Sequence, residues 1–449
     1  MRVAIVHYHL DPGGVTQVIR TASRVLSSAG ISHAILTGET IPALQYLAGP
    51  DDFTPEILVN SLHEAAHAAL GAAPDLWHFH NHSLGKNCLI AEAVAKLAKS
   101  GERIVLQIHD LAEAGRPTNY PLIADCGKLY PISPRIHYAF LNARDLAHFT
   151  SAGLPAKNSS LLPNAVAPLP HAAHAVAASQ ILFAPIRAIR RKNIGELVLL
   201  AALLPPATRI AISLAPSDPA ALLVHETWQK FAASQRLPID FDVADRLAPV
   251  ADAASDFASW IAHASHFITT SVEEGFGLPF LEAIVHGKPL LGRNLPHLTL
   301  EHVQHGIFTG RLYDRLLIPA DWIEPQILKD FLTLTLERNF RAYRRTLPNF
   351  YLNETLIHLK HGAHLDFGNL PEALQQVVIE QLADPDHRTL PLVQIGENTQ
   401  RLVDWLAVAI AERASTAVPA QLTAYSLAEY QKKLTAIYSA SIICLRRKF

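Results

Sequence analysis

The stretch SHFITTSVEEGFGLPFLEAIVHGKPLLGR, residues 265–293, decides how the chain folds. It reads as a short apolar strand, a loop with two adjacent carboxylates and two glycines, a helix opening at Pro279, a stop at Gly287 and a second apolar run. Pro279 suits a first helical position, where its missing N–H would find no partner anyway. Gly275 and Gly277 let the backbone come close to a ligand. The helix start offers unpaired N–H groups and positive dipole density to an anion. Glu282, one turn into the helix, reaches back toward the loop. These parts together suit a phosphorylated polyol or a sugar nucleotide.

Upstream, the same strand–helix alternation runs to the first residue. VAIVHY (3–8), ISHAILT (31–37), LWHFH (76–80), RIVLQIHD (103–110) and HYAFLN (137–142) read as strands. Helical patterns at about 15–29 and 86–99, and one ending near Gly153, separate them. Such alternation predicts an α/β fold with a parallel sheet covered by helices on both faces. Ligands then bind outside the carboxyl ends of the strands. Gly13, Gly14, His80, His82, His109 and Asp110 fall there. Residues 38–75 and 112–135 read as variable loops. A shift to Ala, Pro and His around 165–179 marks a linker. A second alternation follows, with ILFAP (181–185) and RIAISLA (209–215) as strands, and leads into the opening stretch. Residues 294–400 carry long helical patterns through 322–346 and 370–384. A last helix spans about 420–440.

Composition narrows the function. The 449 residues are 49% apolar and 17% charged, enough for two buried cores. A net charge of −2 leaves no electrostatic footprint for nucleic acid. Cys88, Cys126 and Cys444 are too widely spaced for a disulfide framework or a metal pattern, which favours a reducing compartment. The chain starts directly in a strand pattern, and its longest apolar runs are too short to span a bilayer. A cytoplasmic protein is expected. The basic-apolar end SIICLRRKF leaves peripheral membrane contact open without indicating it, and oligomerisation is equally open.

Several residues could carry chemistry. Arg187 and Lys192 follow the first strand of the second half, with Arg190 and Arg191 between them. A guanidinium fork and an ammonium point charge both suit a diphosphate, although a solvated basic loop is the commoner fate of such a run. Glu274 and Glu282 could be a glycosidase pair. Their place beside phosphate-binding groups favours recognition of sugar hydroxyls instead. Glu273 reads as a helix-start carboxylate favoured by the dipole. Gly13 and Gly14 could cradle a phosphate, but DPGG taken alone is an ordinary turn that departs from the dinucleotide fingerprint. His109 could donate to a sugar hydroxyl, act as a base, or be a buried structural histidine. His78, His80 and His82 alternate as in a metal pattern that nothing nearby completes, so no metal and no cofactor are expected.

At this point the motifs match a known family. GGV at 13–15, QIHDL at 107–111, R-x4-K from Arg187 to Lys192, and EEGFGLPFLEAIVHGKPLL at 273–291 resemble those of the retaining glycosyltransferases of the GT-B fold. This group includes sucrose synthases, sucrose-phosphate synthases and phosphatidylinositol mannosyltransferases. The E-x7-E spacing from Glu274 to Glu282 is the most specific of these marks. LLPNAV at 161–166 looks like the domain-closing strand of that family. The resemblance implies two Rossmann-like domains facing across a cleft: an acceptor domain at 1–168, a linker at 169–180, and a donor domain at 181–415. The donor domain would carry an extra helical segment at about 294–400, and a C-terminal helix at 416–449 would return to the first domain.

By the same resemblance, Arg187 and Lys192 hold the diphosphate of a nucleotide-sugar donor and Gly14 faces it. Glu282 binds the ribose. Glu274 holds a sugar hydroxyl, with Gly275, Phe276, Gly277 and Leu278 completing the pocket. His109 contacts the sugar near its reacting carbon. The chain would be a metal-independent hexosyltransferase acting on a hydroxyl acceptor, a sugar, polyol or small molecule before a lipid. Two rivals remain: a nucleotide-sugar epimerase on the same architecture, and a non-catalytic nucleotide-sugar sensor. The sequence departs from the family after Leu291, where a long segment replaces the usual short return.

Overall fold

A computed structural model describes residues 1–45, 53–168, 180–244, 257–308, 310–413 and 420–443. The chain divides into two units. Residues 1–166, 342–344 and 423–449 form the first, and 167–341 with 345–422 form the second. The expected linker lies almost wholly outside the described residues.

The first unit runs β1 (Arg2–Val6), α1 (Gly14–Ser28), β2 (Ser32–Leu36), α2 (Pro55–Leu70), β3 (Leu76–His80), α3 (Cys88–Lys99), β4 (Ile104–Ile108), β5 (Ile136–Phe140), α4 (Ala143–Ser151) and β6 (Ser159–Leu161). The six strands make one parallel sheet in the order β2-β1-β3-β4-β5-β6. β3 and β4 are buried along their whole length, as a parallel sheet with both faces covered requires. Helix α1 turns Val18, Ile19, Ala22, Val25 and Leu26 inward, one stripe at helical spacing. Helix α2 falls within the stretch 38–75 that reads as a variable loop. Its signals are nevertheless local: Thr54 caps Ile57 N–H, Pro55 opens the helix, and Leu58, Leu62 and Ala66 repeat every four residues toward the core.

The second unit runs β7 (Gln180–Arg187), α5 (Ile194–Ala202), β8 (Thr208–Leu214), α6 (Pro219–Ser234), β9 (Ile239–Asp240), α7 (Phe257–His263), β10 (His266–Thr269), α8 (Leu278–Val285), β11 (Leu290–Arg293), α9 (Pro296–Gln304) and β12 (Arg311–Tyr313). Its six strands are again parallel, in the order β12-β11-β10-β7-β8-β9. Both sheets are Rossmann-like, as expected. Gly292 makes the β10–β11 pairing possible. Its φ of 142° is open to glycine, and a Cβ there would fall on the Thr269 carbonyl oxygen.

The segment after β12 is more than helical. It contributes β13 (Arg315–Pro319), α10 (Pro325–Ala342), α11 (Tyr351–Leu359), β14 (Lys360–His361), β15 (His364–Asp366), α12 (Glu372–Gln381), β16 (Leu392–Ile395), β17 (Asn398–Arg401) and α13 (Leu402–Ala411). The strands form an antiparallel sheet in the order β14-β15-β13-β16-β17. Leu316, Ile318, Val393, Leu402 and Trp405 share one core with Leu197 and Leu200 of α5. Arg293, at the end of β11, reinforces that joint. Its guanidinium meets Glu196 of α5 through Nε and Nη2 and lies 3.5 Å from Asp366, while Tyr313 donates to Glu196 at 2.8 Å. Burial would lower the Arg293 pKa, but the two carboxylates outweigh it and hold the group charged.

The last helix, α14 (Leu427–Ile443), belongs to the first unit. Tyr430, Leu434, Ile437 and Tyr438 pack against Val3, Ile5, Val105 and Ala139 on one face of the sheet. The Tyr438 hydroxyl bonds Nδ1 of His78 at 2.7 Å. Among the described residues no helix is long and apolar enough to cross a membrane.

Candidate active site

In the second unit, residues expected to hold the donor gather at the carboxyl ends of the neighbouring strands β7 and β10. Beyond β7 the chain makes a 3-10 turn at Arg190–Lys192, and Asn193 takes a left-handed conformation before α5. Beyond β10, Thr270 Oγ1 donates to the Lys192 carbonyl at 2.8 Å, and Val272 N–H donates to the Arg191 carbonyl at 2.9 Å. The two loops are thereby stitched together, which carries Lys192 onto Glu274. Its ammonium bonds Oε1 of that carboxylate, to which Ser271 also donates at 2.7 Å. Arg191 lies 3.8 Å from Oε2.

Lys192 is 8% exposed and Glu274 5%. Burial pushes the Glu274 pKa up, but Lys192 and Arg191 outweigh it and hold the carboxyl below its ordinary value. It is therefore an anion at neutral pH, able only to accept hydrogen bonds. A buried ion pair adds little net stability. Its place at the strand ends of an α/β sheet is where such folds bind ligands.

Helix α8 begins at Leu278, one residue before the expected Pro279. Gly277, at φ 71°, supplies the bend into it, and a Cβ there would press on the Phe280 ring at 2.8 Å and on Leu298 at 2.9 Å. Phe276 is buried, and Glu282 is buried one turn into the helix. Glu274 and Glu282 are thus both buried, on either side of the Gly275–Leu278 segment in sequence, and Lys192 is brought to Glu274 from 82 residues away. Arg187 ends β7, and its Nη1 donates to the Ala215 carbonyl at 2.7 Å. Glu273 does not take the helix-start role expected of it. It sits four residues before Gly277, with Oε1 3.8 Å from His297, whose Nε2 also lies 3.1 Å from the Glu274 carbonyl.

Two supports of this site went unread in the sequence. Ser271 carries no motif. Gln375 of α12 donates to the Asn193 side chain at 3.0 Å and to the Phe367 carbonyl at 3.1 Å. The long segment after Leu291 therefore braces the residue next to Lys192.

In the first unit, Gly13 and Gly14 open helix α1. Gly13 is in ordinary extended backbone, and a Cβ on it would meet only the Asp11 carbonyl at 4.0 Å, so steric need does not explain this glycine. His109 lies just past β4. Its Nε2 is 2.8 Å from Nδ1 of His80, and its backbone N–H donates to Asn81 at 2.8 Å. Burial lowers its pKa to about 4, so it is neutral at pH 7. His78, His80 and His82 are all buried. Among the described residues no group of three or more His, Cys, Asp or Glu is placed to hold a metal ion.

No protein-family profile matches the chain. Solved structures similar to it include sucrose-phosphate synthase from Thermosynechococcus elongatus, with TM-score 0.54, 15% identity and 98% of both chains covered. HepE of Anabaena, solved in complex with UDP-glucose, aligns with TM-score 0.52 and 14% identity over 98% of this chain and 100% of that one. At such identities the likeness speaks for the fold, and the fold is that of the GT-B glycosyltransferases, with two Rossmann-like parallel sheets. Among curated proteins, mannosylglucosyl-3-phosphoglycerate synthase of Petrotoga mobilis is 29% identical over 424 residues, covering 83% of this chain and 79% of its own.

Proposed function

We propose that the chain is a retaining, metal-independent hexosyltransferase that moves a hexose from a nucleoside-diphosphate sugar to a hydroxyl of a soluble acceptor in the cytoplasm. The observation that carries this reading is the buried Lys192–Glu274 pair beside the glycine-capped start of α8. An ammonium held there can serve a diphosphate as well as the carboxylate. Glu274, as an anion, accepts from sugar hydroxyls, and Glu282 does the same for the ribose. Arg187 adds a second cation for the diphosphate. Gly13, Gly14 and His109 are assigned to the donor by the resemblance of their motifs alone.

In the proposed reaction the bond from the anomeric carbon to the diphosphate oxygen breaks as positive charge develops on the sugar ring. The acceptor hydroxyl attacks from the same face, and its proton passes to the departing diphosphate. Cationic stabilisation of that leaving group is the main electrostatic contribution, and Lys192 and Arg187 supply it. Retention needs no covalent nucleophile in this scheme. For the acceptor class, the relative's name supports a glycosylated phosphoglycerate.

The test is a thermal-shift screen against UDP-, GDP- and ADP-hexoses, followed by transfer assays that include glucosyl-3-phosphoglycerate as acceptor. A donor at 100 times its Kd should stabilise by about 2.7 kcal/mol. Transfer with a retained anomeric configuration, in the presence of a chelator, is the expected result. Isomerisation of a donor without acceptor would assign an epimerase instead, and binding without turnover a sensor. No shift with any donor would remove the proposal.

A further inference from the structure

The hydrogen bond between His80 and His109 decides what His109 can do. His80 ends β3 and His109 follows β4, its pairing neighbour. His80 Nδ1 lies 2.8 Å from His109 Nε2, with the rings nearly parallel at 5.1 Å. The arrangement is held on both sides. Asn81 accepts from the backbone N–H groups of His109 and Asp110, at 2.8 and 3.1 Å. His7 Nδ1 donates to the His80 carbonyl at 3.0 Å. Burial keeps both rings neutral at pH 7.

Two neutral imidazoles can share this bond in two ways. If His109 donates from Nε2, the His80 proton must sit on Nε2. That atom is buried without a partner among the described residues, so an N–H donor would be orphaned. If His80 donates from Nδ1, its Nε2 is a bare lone pair. Orphaned buried donors are the rarer and costlier case, so the second arrangement is favoured. His109 then accepts at Nε2 and carries its own proton on Nδ1, a nitrogen that no described residue engages.

We propose that His80 is a positioning residue: by donating from Nδ1 to His109 Nε2 it fixes the proton of His109 on Nδ1 and makes that ring a hydrogen-bond donor, not a base, toward an oxygen of the sugar. The tautomer rests on the geometry of the first unit. The identity of the ligand rests on the function proposed above.

The experiment has two arms that fail independently. In the first, the full chain labelled with 15N-histidine is examined by NMR at pH 7.5, with His80→Gln and His109→Asn used for assignment. Protonation of His109 on Nδ1 is expected, and protonation on Nε2 overturns the inference whatever the enzyme does. In the second, transfer kinetics are compared for His80→Leu and His80→Gln. Leucine should lower kcat roughly tenfold while nucleotide affinity stays within about twofold, because one neutral hydrogen bond is at stake. Glutamine, which restores an N–H donor, should recover most of the loss. Equal loss in both variants, or none in His80→Leu, refutes positioning. Absence of transfer by the wild-type chain would count against the proposed function and leave the NMR result standing.

Discussion

Replacing Lys192 by Met, Glu274 by Gln, and both together forms a cycle that separates the structural from the functional meaning of their contact. Each single change leaves a buried ion without its main partner, at a cost of about 3–5 kcal/mol. Glu274 keeps Ser271 at 2.7 Å and Arg191 at 3.8 Å, so Lys192→Met should fall at the lower end. The double variant buries neither charge and should be more stable than the sum of the singles by about 2–3 kcal/mol. Nucleotide-sugar affinity should not follow. Loss of the ammonium removes a charged hydrogen bond of about 1.5–3 kcal/mol, roughly 10- to 150-fold in Kd, in Lys192→Met, and the double variant, which also lacks the Glu274 carboxylate, should bind no better.

Urea melts followed by tryptophan fluorescence supply the stabilities, since Trp228, Trp260, Trp322 and Trp405 all lie in the second unit. Calorimetry with the donor identified by the screen supplies the affinities. The pH dependence has a fixed sign. The folded-state pKa of Glu274 is depressed, so its contribution is present above the ordinary carboxylate range and lost as pH falls through the folded value. Lys192→Met removes the strongest lowering influence and should move that loss to higher pH. Stabilities that add within about 0.5 kcal/mol, or affinity recovered in the double variant, would refute the reasoning.

Three further outcomes are expected. The first unit should unfold on mild acidification. His7 and His78 are lowered to about 3, and His82 and His109 to about 4, all by burial. The unfolded chain binds their protons first, so each withdraws about 2 kcal/mol of stability by pH 5, read by circular dichroism against pH. An unchanged spectrum down to pH 4 would contradict this. Gln375→Leu strips the Asn193 side chain and the Phe367 carbonyl of a buried donor, and should weaken nucleotide-sugar binding severalfold although it lies on α12; unaltered affinity would deny the brace its role. Gly292→Ala should destabilise by more than about 2 kcal/mol or prevent folding, because backbone and not a flexible side chain blocks the new methyl. A Tm within a degree of wild type would show that β10 and β11 can part.

The two parallel sheets were legible because their strands are buried on both faces and read as short apolar runs between helical stripes. The loop and helix from Glu273 to Val285 were legible because glycine, proline and carboxylate positions there are all local. The antiparallel sheet after β12 was not. Its strands run from two to five residues, and β17 is exposed along its whole length, so no alternation of apolar and polar positions survives to be counted. Helix α2 was missed although its cap and its four-residue repeat stood in plain view. The contacts that define the site were beyond reach. Lys192 meets Glu274 across 82 residues, and Gln375 meets Asn193 across 182. Only the closing of β7 against β10 and the return of α12 to α5 make them neighbours.

The position of α14 also bears on how the chain is made. The sheet face formed by Val3, Ile5, Val105 and Ala139 is covered by Tyr430, Leu434, Ile437 and Tyr438. A ribosome finishes the six strands of the first sheet long before it reaches that helix. At ordinary elongation rates of about 5–20 residues per second, the wait between Val166 and Tyr438 is roughly 15 to 55 seconds. Throughout that interval this core has Ile19, Ala22, Val25 and Leu26 of α1 but not the residues of α14, and the ring of His78 lacks its tyrosine. The second unit, contiguous apart from three residues, has no such delay. In this chain the part whose translation starts first is the last to have all its residues.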